Sequence, residues 1–161
     1  MHGKSLILFF ALLGAPAMAS GQDAVPPPMM MWPDASGKVS DFAKTYRSCT
    51  KDSYALRQIA ACDAALKLVD REVENLPNKQ EERIWFLASL NLHKSIIYRR
   101  SDQFADAIKS ADIAAIYLPD AYQIQQQRCW VRAVANTELE TASEACSKAF
   151  SKARGHASRH G

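Results

Sequence analysis

The stretch that decides the fold is residues 81–100, EERIWFLASLNLHKSIIYRR. At helical spacing, Trp85, Leu92 and Ile96 fall on one apolar face, with Ser89 and Arg99 at its edges. Ile84, Leu87, Ala88 and Tyr98 form a second face, interrupted by Asn91 and Ser95, and Phe86, Leu90 and Ile97 form a third. A surface helix carries one apolar stripe, whereas a helix apolar most of the way round is buried. This helix therefore needs neighbours on more than one side, as the middle of a stacked helical array does.

Helical periodicity continues on both sides, and six helices are expected. Ser40 caps the first, which runs to about Cys49; Asp52 or Ser53 opens the second, 55–69. A charged loop, 70–79, leads to the third, opened by the capping-box pair Asn78 and Glu81. Ser101 or Asp102 opens the fourth, 104–118, and Pro119-Asp120 separates it from the fifth, 121–136. Thr137 and Glu140 repeat the capping-box spacing before the sixth, 139–153. No alternating β-branched run or Asn-Gly hairpin signals a strand. The expected fold class is all-α.

The flanks read differently. Residues 1–19, MHGKSLILFFALLGAPAMA, combine Lys4, a short apolar core and a small-x-small site at Ala17-Met18-Ala19. This is the pattern of a signal peptide cleaved after Ala19, and it implies a periplasmic or secreted protein. The apolar run is shorter than the ~20 residues that span a bilayer. Residues 20–38, SGQDAVPPPMMMWPDASGK, hold four prolines and no helical period, and are expected to form a disordered arm. Residues 39–153 form the helical domain, and 154–161 a flexible basic tail. The formal net charge is only +3, which argues against a nucleic-acid binder.

Three segments repeat one another without gaps: 58–66 (QIAACDAAL), 107–115 (AIKSADIAA) and 142–150 (ASEACSKAF). Cys62, Ala111 and Cys146 fall in register, as do Ala65, Ala114 and Ala149. The later spacing, Ala111 to Cys146, is close to a period of about 34 residues. Residues 101–121, SDQFADAIKSADIAAIYLPDA, resemble the second helix and exit of a tetratricopeptide repeat. Phe104 matches its aromatic position, Ala107 and Ala114 its small positions, and Pro119 its terminal proline. Tyr98 and Ser95 match a large and a small position on the preceding helix. Asn91 and Lys94 depart from the pattern, standing where an aromatic and a leucine are usual. Residues 128–146, RCWVRAVANTELETASEAC, resemble a variant found in exported bacterial repeat proteins. The resemblance covers about residues 40–152. It implies three antiparallel helical hairpins stacked as a short right-handed array.

Four cysteines, Cys49, Cys62, Cys129 and Cys146, in an exported chain suggest disulfides, and spacing alone leaves three pairings open. The resemblance implies one of them. In the family's hairpin, the small position of the first helix faces the middle of the second, and Cys129 and Cys146 occupy these places. Their Cα atoms should then lie ~5–6 Å apart. Cys49–Cys62 would staple the opposite end in the same way.

No constellation points to catalysis: His2 falls in the leader, His156 and His160 in the tail, and His93 between two apolar faces. No glycine-rich phosphate loop or Cys-x-x-Cys is present. The protein is expected to be a non-catalytic adaptor that holds a protein or peptide partner in the cell envelope, without cofactor or metal. Alternatives are copper handling through the thioethers of Met29, Met30 and Met31, and a small hydrolase on a helical scaffold. In the tetratricopeptide register the binding surface comprises Ser89, Leu92, Ile96 and Arg99 with Gln123, Gln126 and Trp130. Glutamines can satisfy a peptide backbone, Arg99 can meet a carboxylate, and Trp130 offers an aromatic anchor.

Overall fold

A computed structural model describes residues 39–51 and 54–157. The leader 1–19, the arm 20–38 with its methionines, the expected cap residues Asp52 and Ser53, and residues 158–161 lie outside the described residues. Within them the chain is all-α: α1 (Asp41–Lys51), α2 (Ala55–Val73), α3 (Lys79–Arg100), α4 (Phe104–Tyr117), α5 (Tyr122–Ala135) and α6 (Leu139–Ala157). No strand occurs among the described residues.

Each helix packs against the next in sequence, and α3 also touches α1 and α5. The residue pairs in contact give the directions. Ser40 meets Glu72 while Cys49 meets Cys62, so α1 and α2 run oppositely. Arg83 meets Asp70 while Lys94 meets Asp63, so α2 and α3 do too. By contrast, Phe42 meets Phe86 edge-on and Tyr46 reaches Ser89, so α1 and α3 run the same way. Ser95 meets Gln127 and Arg99 meets Trp130, so α5 continues in that direction.

The four-sided environment of α3 matches its near-uniform apolarity: Phe86, Leu87, Ala88, Leu90 and Ile97 are all buried. Asn91 and Ser95 are buried with them and satisfied locally. The Asn91 amide donates to the Leu87 carbonyl at 2.8 Å, and Ser95 accepts from Gln127 Nε2 at 3.0 Å. Lys94 pairs with Asp63 at 2.6 Å. Both departures from the repeat pattern therefore have polar partners.

The core changes character along the chain. Between α1, α2 and α3 it is aromatic, with Phe42 and Phe86 edge-to-face at 4.6 Å and Trp85 against Phe86 at 5.2 Å. Such pairs add about 0.5–1.5 kcal/mol each beyond area burial. Further on it rests on small residues: Ala107, Ala111 and Ala114 are fully buried, against Ile124 and Val131. The in-register alanines 65, 114 and 149 are all buried, which fits close helix approach.

Several helix ends differ from expectation. Ser40 does cap α1, its Oγ accepting from the Ala43 N–H at 3.0 Å. The segment 70–79 is not all loop: α2 continues to Val73 because Val69 and Val73, one turn apart, are both buried in the core. Asn78 precedes α3 without a side-chain cap bond, so the capping box does not form. Ser101 and Asp102 end α3 and do not open α4; Asp102 takes left-handed backbone, φ 58°, which a short polar side chain tolerates, and Gln103 precedes α4. Asn136, also left-handed, closes α5. Glu138, not Thr137, leads into α6, its carbonyl accepting from the Ala142 N–H at 2.9 Å. α6 runs to Ala157, beyond residue 153 where the sequence places the end of the domain.

The cysteines are joined as neighbours. Cys49–Cys62 and Cys129–Cys146 have Cα separations of 4.8 and 4.9 Å.

Candidate functional site

Because α1, α3 and α5 lie side by side and point the same way, the residues they share on one side form a continuous strip. Tyr46 of α1, only 5% exposed, lies in the core beneath its start. Its ring stacks on Trp85 at 6.4 Å and meets the His93 ring edge-on at 6.3 Å, and its hydroxyl lies 2.8 Å from Ser89 Oγ. Burial raises the Tyr46 pKa, with the Ser89 hydrogen bond opposing in part. Burial lowers that of His93, and the charge of Arg100 lowers it further, so the ring is neutral at pH 7.

The middle of the strip is apolar. Leu92 packs against the cluster of Ala88, Ala114 and Ile124, so part of its role is to join α3 to its neighbours. Ile96, one turn on, is half-buried. Next comes Arg99, whose guanidinium carbon lies 5.6 Å from the Trp130 ring centroid. A cation over an indole face is worth roughly 0.5–1 kcal/mol where water reaches it. Arg99 Nε is buried without a hydrogen-bond partner, and Arg99 forms no ion pair among the described residues. Burial and the adjacent Arg100 lower its pKa. Trp130 is 53% exposed. Gln126, one turn before it, is exposed, and Gln123, a turn earlier still, is half-buried.

The structure thus joins Arg99 directly to Trp130, puts Gln126 beside them, and gives Ser89 and Leu92 partners inside the fold. The glutamine run 125–127 divides sharply. Gln126 faces out, while Gln125 donates to the Pro119 carbonyl and Gln127 to Ser95.

Sequence reading missed Tyr46, the core aromatic beneath the strip, and a charge network behind α5. Arg132, only 2% exposed, contacts Asp112 Oδ2 through Nη2 at 2.6 Å and Glu138 Oε2 through Nε at 2.8 Å. Arg128 Nε reaches Asp112 Oδ1 at 2.9 Å. Burial alone would lower the Arg132 pKa; hydrogen bonds and charge from Asp112 and Glu138 outweigh it and hold the value raised. The signal available was the pair of arginines at i and i+4 on α5.

A separate cleft of about 420 Å³ opens where α2 meets α3, between Asp70, Arg71, Glu74, Lys79 and Arg83. Asp70 and Arg83 pair across it at 2.5 Å. No group of three or more His, Cys, Asp or Glu side chains among the described residues is placed to hold a metal ion. No described helix is long and apolar enough to cross a membrane. Family models, curated proteins and solved structures offer no match to the chain.

Proposed function

We propose that this protein is a non-catalytic binding module: three helical hairpins in a tetratricopeptide-like array that hold an extended segment of a partner protein against the strip on α1, α3 and α5. The same-direction packing of α1, α3 and α5, with α2 and α4 lying between them in sequence, supports the array. The observation that carries the binding role is the Arg99–Trp130 pair. It presents an arginine with no carboxylate partner among the described residues and a half-exposed indole side by side. An extended peptide supplies what both lack, an acceptor for the guanidinium and an apolar side chain for the ring. Gln126 is available to its backbone.

Two disulfides suit an oxidising compartment, and the leader-like sequence at residues 1–19 suits export to the envelope. The test is partner capture from envelope extract by the wild type and by Arg99→Glu and Gln126→Ala variants. The variants are expected to keep their melting temperatures and to retain at least about tenfold less partner, the equivalent of 1.4 kcal/mol. Equal capture by all three proteins would move the site elsewhere.

A further inference from the structure

α6 packs chiefly on α5, and among the described residues its other side is uncovered. Register shows what that side lacks. Leu66 of α2 and Ala115 of α4 each pack against the core formed with the following helix, but Phe150, at the same repeat position, is 64% exposed. Asp63 and Asp112 each reach forward to a cation on the next helix, while Ser147 replaces them on α6. One helical face of α6 carries Leu139, Glu140, Ser143, Ser147, Phe150 and Arg154, all exposed. Leu139 and Phe150 are large apolar groups three turns apart, and the two serines between them are small enough for close approach.

Charge on α6 is segregated. Its first half carries Glu140 and Glu144, its second Lys148, Lys152 and Arg154. Glu144 and Lys148 satisfy each other at 2.8 Å. Glu140 and Arg154, at opposite ends of the open face, form no ion pair among the described residues; Arg154 lies over the Phe150 ring at 5.6 Å. Acid before base also complements the helix's own dipole. That effect gives no reason for exposed Leu139 and Phe150 on the same face. An antiparallel copy does: a register that sets Leu139 of one helix against Phe150 of the other, twice, leaves Glu140 and Arg154 about 7.5 Å apart along the axis, a gap that their long side chains span.

We propose that the protein self-associates as a two-fold dimer in which α6 pairs antiparallel with α6 of a second copy. A two-fold contact of this kind is self-complementary and closed. A single helix pair buries little area, so the dimer is weak, with Kd on the order of 10–100 µM. The proposal does not depend on the peptide-binding strip, which lies on α1, α3 and α5.

Sedimentation velocity of the purified, oxidised protein, from about 1 µM to about 500 µM to bracket that Kd, tests it. Wild type is expected to pass from monomer to dimer, and Phe150→Ser to raise Kd at least tenfold. Glu140→Arg alone and Arg154→Glu alone are each expected to stay monomeric. Mixed in equal amounts they should dimerise, because both cross-contacts are then opposite in sign. Melting temperatures serve as the control for folding. A wild type that remains monomeric throughout, a dimer indifferent to all three substitutions, or a mixture that fails to pair would each overturn the proposal.

Discussion

Arg132 is the residue on which the second half of the molecule turns. Among the described residues it is the largest fully buried side chain, and its charge is matched by two carboxylates that are themselves partly solvated. Removing one member of a fully buried pair costs 3–5 kcal/mol. Here the abandoned partners, Asp112 and Glu138, can rehydrate, so Arg132→Ala is expected to cost less, about 2–3 kcal/mol by urea denaturation. Arg132→Met, which keeps the apolar stem, should lose less than Arg132→Ala; equal losses would mean that packing contributes nothing. His93 gives a prediction in pH. Its pKa is lowered in the folded state by burial and by Arg100, so the unfolded chain takes up a proton first as pH falls through about 6.5. Stability therefore declines on acidification below that value, by up to about 1.4 kcal/mol per unit, and levels off below the folded pKa. A His93→Gln variant should show a shallower decline between pH 7.5 and 5; parallel curves would contradict a buried, neutral ring.

At the scale of helices, the two disulfides are alike in topology and unlike in access. Cys49 and Cys62 are fully buried, whereas Cys129 and Cys146 are only half-buried. A dithiol reductant in limited amount is therefore expected to open Cys129–Cys146 first, seen as earlier alkylation of those two residues by mass spectrometry. The reverse order would show that α1 opens more readily than α6. Each bond closes a short loop, 13 and 17 residues in separation, and the chain-entropy model gives ~3 kcal/mol for either. Replacing Cys129 and Cys146 by alanine should lower the melting temperature and leave a chain that still folds. The helices themselves were legible in the sequence because α3 is apolar all round and the small residues of α2, α4 and α6 repeat in register. Their ends were less so. Val73 extends α2 through burial that a charged local sequence conceals, and left-handed Asp102 and Glu138 displace the side-chain caps that spacing suggested.

At the scale of the whole molecule, the distribution of polar groups separates two surfaces. Ser95, Gln125, Gln127 and Arg132 are polar residues committed to the interior, and composition alone could not distinguish them from Gln126 and Arg99, which remain available. The strip on α1, α3 and α5 could be placed from the sequence at α3 and α5 because helical period fixes which residues share a face. The support from Tyr46 beneath it could not, because that depends on how α1 meets α3 across more than forty residues of chain. The most direct test is selection of binders from a random library of extended peptides, followed by mapping of a selected peptide through its effects on amide and indole NMR signals. The expected result is a contiguous set of shifts from Ser89 through Ile96 and Arg99 to Gln126 and the Trp130 indole, abolished by Trp130→Ala. Shifts confined to α2, α4 or α6, or a library that yields no binder, would contradict a peptide site on this strip.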